Sequence, residues 1–268
     1  MYGIDSVAPT ICSLMGVQPP RGSTAEPIAE LLEEGRKVLG GEPVEKALLY
    51  APDAIGEWLY QMYRDDFKGV LEAAPIEVPV LSMTPSSTPV CYGSMFTGLK
   101  PEGHGIMKYE KPVLECDTLF DALPRAGKRV AIVAVKDSSI DLIFRRRPID
   151  YYTEEYDPEV EERVLGLLKE DDHDLILAYH QGYDDAMHGS TPTSPEAMEA
   201  FRGHLRTFER LAEAFNERHG DSNRLLAFLP DHGTHVDPVS GKGSHGTDRL
   251  EDMEVRHFWG INRGLICT

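Results

Sequence analysis

The chain has 268 residues, 41% apolar and 27% charged, the proportions of a globular protein, which exclude a disordered or collagen-like chain. Its 27 basic against 45 acidic side chains leave a net charge of −18, which repels nucleic acid and anionic membrane from most of the surface and argues against both as partners. No apolar run reaches the roughly 18 residues of a membrane helix, and the first residues lack a basic leader, so a cytoplasmic protein is expected.

In chain order, the pattern predicts a helix over 27–39, a strand over 46–52 (KALLYAP), a helix over 56–67 and a strand over 78–83 (VPVLSM). A helix then opens at Thr88, with Thr88 as its cap and Pro89 at its first position. A helix over 117–126, a strand over 129–135 (RVAIVAV), a helix over 158–169 and a strand over 174–180 (DLILAYH) follow. Ser194 and Pro195 open a long helix with Met198, Phe201, Leu205, Phe208, Leu211 and Phe215 along one stripe, and strands over 224–230 and 255–261 complete the series. Short apolar runs alternating with amphipathic ones predict an α/β fold, a mostly parallel central sheet covered by helices on both faces. No linker divides the chain, so one domain over 1–268 is expected, with 1–42 as an appended helical segment. The four cysteines, Cys12, Cys91, Cys116 and Cys267, lack paired spacing and read as thiols, chiefly buried.

Several strands run straight into acidic or histidine-bearing turns: Asp53 after the first, Asp184 and His188 past DLILAYH, Asp231 and His232 past RLLAFLP, and His245 further on. Ligands of parallel sheets bind at the carboxyl ends of strands, where residues distant in sequence converge. Mixed carboxylate and imidazole donors suit zinc, manganese or iron, and six ligands suit two ions better than one. Thr88 would stand at the positive end of its helix, where negative charge on an oxygen or a bound phosphoryl group is favoured.

The segment TPVCYGSMFTGLKPEGHGI, followed by D-x-x-x-H in DDAMH, then DHG and SHG, resembles the alkaline phosphatase superfamily, and within it the nucleotide pyrophosphatase and type I phosphodiesterase group. Thr88 stands nine residues before Thr97, the spacing from nucleophile to the TG dipeptide in that group. The resemblance implies an alkaline phosphatase-like fold and a metal-dependent hydrolase of a small phosphate ester, with Thr88 as nucleophile. It implies two divalent ions, zinc or else manganese, one held by Asp53, Asp231, His232 and Thr88, the other by Asp184, His188 and His245. Asp185 is a rival for Asp184. Cys91, where the group usually carries asparagine, and Tyr92 are expected beside the substrate. His104 is expected to make structural hydrogen bonds, and His235 to orient a ligand or touch substrate. Monoesters, diesters and pyrophosphates all stay open as substrates. The competing reading is a catalytically weak relative that binds metal and a phosphorylated ligand as a sensor.

Overall fold

The computed structural model describes residues 1–265, so Cys267 lies outside the described residues. Of the other cysteines, all free thiols, Cys12 and Cys91 are buried and Cys116 is half-buried. Among the described residues, ten strands occur in chain order: β1 Tyr2–Gly3, β2 Lys46–Pro52, β3 Ile76–Leu81, β4 Val130–Val135, β5 Asp150–Glu154, β6 Leu175–His180, β7 Arg224–Phe228, β8 His235–Val236, β9 Gly243–Ser244 and β10 Glu254–Asn262. Eight form one sheet in the order β1-β3-β10-β7-β2-β6-β4-β5, and β8 pairs with β9 in a separate ribbon. β10 runs antiparallel to both its neighbours, while every other pairing in the large sheet is parallel. The predicted mostly parallel sheet is therefore present, and each of the six predicted strands is found.

Alternation along the central strands builds two cores. Ala47, Leu49 and Ala51 of β2 with Leu175, Leu177 and Tyr179 of β6 face one side, covered by the helices Val7–Leu14, Ala29–Leu39, Thr88–Thr97 and Leu119–Arg125. Leu48 and Tyr50 with Ile176 and Ala178 face the other, covered chiefly by Asp157–Glu170 and Pro195–Arg218. The long helix begins as predicted: the Ser194 hydroxyl accepts the Ala197 N–H, and all six residues of its apolar stripe are buried. Burying each of those large side chains stabilises the fold by roughly 1.5–3 kcal/mol. Among the described residues, no helix is long and apolar enough to cross a membrane.

Three expectations change. The predicted helix over 56–67 is interrupted: Glu57–Met62 gives way to a 3-10 turn, Arg64–Phe67, and a further helix, Lys68–Ala73. β5, an edge strand of sequence DYYTE with no buried residue, carries no apolar run to announce it. The helix after β3 is capped by Ser87, whose carbonyl takes the first bonds, from Val90 at 3.0 Å and Cys91 at 2.9 Å. Thr88 is therefore its first residue, and its hydroxyl is released from capping duty.

Candidate active site

β7, β2 and β6 are parallel neighbours, so their carboxyl ends open together on one edge of the sheet. Asp53 follows β2 directly, Asp231 and His232 lie just past β7, and the helix Gly182–Gly189 after β6 carries Asp184 and His188. The β8–β9 ribbon, which pairs His235 with Ser244, delivers His245. The six side chains gather as Asp53 with Asp231 and His232, and Asp184 with His188 and His245, the ligand atoms of each group lying within 4.8 Å of one another. The Thr88 hydroxyl joins the first group, donating to Asp53 Oδ2 at 3.2 Å and lying 3.5 Å from His232 Nε2. Every residue expected as a metal ligand is thus brought to this edge.

The imidazoles are oriented alike. His232 Nδ1 meets Gly233 O at 2.9 Å, His188 Nδ1 meets Gly243 O at 3.1 Å and His245 Nδ1 meets Ser86 O at 2.8 Å. Carbonyls only accept, so each Nδ1 carries a proton, and in the neutral imidazole each Nε2 turns a lone pair towards the carboxylates. Asp53 Oδ1 and Asp231 Oδ2 each lie 3.4 Å from His232 Nε2, while Asp184 Oδ1 lies 3.4 Å from His188 Nε2 and 3.5 Å from His245 Nε2. These three carboxylate oxygens are buried and have no hydrogen-bond partner among the described residues. Buried anionic oxygens facing imidazole lone pairs are costly unless a cation lies between them, so the donor set fits a divalent metal ion in each group.

Charge reinforces the point. Burial, then the negative charges of Asp231 and Asp184, pushes the Asp53 carboxyl well above the ordinary carboxylate range, and burial also pushes Asp231 up. Asp184 is buried too, but His188, His245 and His232 hold it low whenever these imidazoles carry a second proton. The first group is wholly buried, whereas His188 of the second is exposed, so the second group is the one facing solvent.

Other expected residues separate. Asp185 accepts from the Tyr156 hydroxyl at 2.8 Å and from Gln181 Nε2 at 3.1 Å, which leaves Asp184 alone to face the histidines. Cys91 and Tyr92, expected beside the substrate, are fully buried, as are Asp231 and His232. The Ser82 hydroxyl donates to the Cys91 thiol at 3.0 Å, and the Tyr92 hydroxyl donates to Pro52 O at 3.4 Å, next to Asp53. His104 accepts the Ile106 N–H at Nδ1 and meets the Ser94 hydroxyl at Nε2, the structural role expected of it. His235 Nδ1 is 2.7 Å from Asp252, which also accepts from Thr247 beside His245. The sequence reading missed Tyr179, whose hydroxyl donates to the same Asp53 oxygen as Thr88; it sits in an apolar strand run and gave no signal.

Residues 71–259 match the type I phosphodiesterase / nucleotide pyrophosphatase family. The chain belongs to that family. Thr88 and five of the six gathered ligands lie within the matched span; Asp53 lies before it and enters the site through its geometry. Among solved structures, phosphonoacetate hydrolase from Sinorhizobium meliloti 1021, in complex with phosphonoformate, is similar at 16% identity with a TM-score of 0.53, over 71% of this chain and 57% of that one. Murine ectonucleotide pyrophosphatase/phosphodiesterase 5, as an inactive threonine-to-alanine variant in complex with AMP, is similar at 19% identity with a TM-score of 0.54, over 73% of this chain and 59% of that one. This family member thus spans less than two thirds of either structure, and at these identities the likeness is one of fold, the alkaline phosphatase-like architecture expected from its motifs. Comparison with curated proteins gives no match.

Proposed function

We propose that this protein hydrolyses small phosphate esters, diesters or pyrophosphates ahead of monoesters, with Thr88 as nucleophile and a divalent ion in each of the two ligand groups. The observation that carries the proposal is the Thr88 hydroxyl, at the start of its helix, aimed between Asp53 and His232 at 3.2 Å and 3.5 Å. Family membership supports the ester class, and the AMP complex of the murine neighbour supports a nucleotide-like ligand.

The donor chemistry, carboxylate oxygens with imidazole nitrogens in each group, favours zinc or manganese over magnesium or calcium, which prefer all-oxygen shells. Asp53, Asp231 and His232, with Thr88, would hold one ion, and Asp184, His188 and His245 the other. Bound there, the ions would supply Lewis-acid stabilisation of charge on the attacking and leaving oxygens. Three aspartates against two divalent ions leave the site locally positive, which admits an anionic substrate to an acidic protein.

Asp53 Oδ2 already accepts the Thr88 proton, so it directs the Thr88 oxygen lone pairs away from itself. In the first step Thr88 Oγ1 forms a bond to phosphorus as the ester oxygen leaves on the opposite side, the threonine proton passing by way of Asp53 Oδ2 to solvent while the leaving oxygen takes one up. In the second, water cleaves the phosphothreonine and Thr88 regains its proton. The test is release of nitrophenol from aryl phosphate mono- and diesters by wild type and Thr88→Ala, with zinc or manganese added. Metal-dependent turnover that Thr88→Ala abolishes is expected. An equal rate in the variant would reject the covalent route, and phosphate binding without turnover would mark a binding protein.

A further inference from the structure

The helix Gly182–Gly189 carries Asp184 and His188, and its first amides have no helical carbonyl to bond. Three consecutive N–H groups at its start are taken by two side chains from other elements. Gln181 donates to Asp157 Oδ1 at 3.0 Å, Gly182 to Asp157 Oδ2 at 2.9 Å and Tyr183 to His204 Nε2 at 3.1 Å. Asp157 opens the helix Asp157–Glu170 and His204 lies within Pro195–Arg218; both helices cover the face of the sheet opposite Thr88.

We propose that Asp157 and His204 are positioning residues that set the affinity of the Asp184–His188–His245 group for a divalent ion. The inference rests on the metal reading above. Both oxygens of Asp157 are used, so its carboxylate cannot rotate without losing an amide, and its charge suits the positive end of the helix it holds. A Cβ on Gly182 would come to 2.7 Å from Asp157 Oδ2, so glycine there is what admits the carboxylate. Because His204 Nε2 accepts, its proton lies on Nδ1, 3.0 Å from the Tyr50 hydroxyl. Burial favours this neutral form and pushes the imidazole down to about 3. Asp184 lies in the first turn, next to the clamped amides, while His188 follows one turn later. A small tilt at the clamped end therefore moves Asp184 relative to His245, and metal sites tolerate errors of only about 0.2 Å.

The test titrates the chelator-stripped protein with zinc by calorimetry and follows amide hydrogen exchange at residues 181–183. It compares wild type with Asp157→Asn, His204→Ala and His204→Gln, and uses His188→Ala to identify the affected zinc site. Asp157→Asn and His204→Ala are expected to weaken that site alone by about tenfold to a hundredfold and to speed exchange at 181–183. The glutamine carbonyl in His204→Gln can accept the Tyr183 N–H and should recover part of the affinity. Faster exchange with both zinc affinities unchanged would overturn the inference, as would equal weakening of both sites. Should Asp157→Asn fail to fold, the two His204 variants decide the matter. Wild-type protein that takes up no zinc or manganese would instead reject the metal reading itself, and this inference with it.

Discussion

His232 and His245 lie ring on ring, with centroids 4.1 Å apart and planes 26° from parallel, although each belongs to a different ligand group. The two groups therefore adjoin through a stacked pair of imidazoles, one ring from each group. A proton on one ring would bring its charge against the other. Burial, then His232, holds His245 down to about 4, so at neutral pH it offers a lone pair.

Zinc should stabilise the chelator-treated protein, and more strongly as pH rises. Asp53 and Asp231 have folded pKa values above their unfolded ones, so the metal-free native state binds more protons than the unfolded state. That contribution is present below the ordinary carboxylate pKa of about 4 and is lost as pH rises through the raised values. A cation among the carboxylates removes the penalty. Zinc at about a hundred times its dissociation constant contributes about 2.7 kcal/mol, and for a chain of this size that is roughly 5–10 °C in Tm. Thermal melts with zinc and with chelator at several pH values check this. A gap that stays constant or narrows with pH contradicts it.

His257 should make the protein acid-sensitive. It is fully buried, its Nε2 lies 2.9 Å from Pro230 O beside Asp231, and burial pushes it down to about 4 from an ordinary 6.5. Its folded pKa is depressed, so the unfolded state binds more protons below 6.5, and stability falls as pH drops towards 4. The loss amounts to about 2 kcal/mol by pH 5. Urea unfolding of wild type and His257→Gln at pH 7 and 5 should show a flatter dependence in the variant by about that amount.

Tyr179→Phe should impair the Asp53 group while leaving the other group alone. The tyrosine hydroxyl and Thr88 share Asp53 Oδ2, which leaves Oδ1 facing His232. Without the phenol, the carboxylate is free to turn. A fall in kcat of about tenfold to a hundredfold with KM little changed is expected, and steady-state kinetics on an aryl phosphate ester check it.

What the sequence disclosed depended on how completely each residue was buried. β2, β4 and β6 lie in the sheet interior and read as unbroken apolar runs, whereas β5 at the edge has no buried residue and was invisible. The candidate ligands were legible because acids and histidines at strand ends stand out against those runs. Tyr179 and Asp157 did not stand out: one looks like a core residue, the other like an ordinary first-turn acid. All ten residues of the helix Thr88–Thr97 are buried. It has no polar face to separate Thr88, which bonds to Asp53, from Cys91 and Tyr92, which bond to Ser82 and Pro52.

Two glycine-to-alanine changes should have opposite effects on stability. Gly233 follows His232, its carbonyl meets His232 Nδ1, and its N–H donates to Asp252 O at 2.8 Å. A Cβ there would lie 2.0 Å from Glu251 O and 2.9 Å from the Gly56 Cα, both backbone atoms that no side-chain rotation can clear. Gly233→Ala must therefore push these backbone segments apart beside His232, at a cost of about 1–3 kcal/mol or more, with weaker zinc binding by the Asp53 group. Gly166, inside the helix Asp157–Glu170, has nothing within 4 Å of an added Cβ, so alanine there should stabilise by about 0.5–1 kcal/mol. Melting temperatures and zinc titrations of both variants provide the check. A Gly233→Ala protein as stable as wild type, with both zinc affinities intact, would mean that the backbone contact does not hold His232 in place.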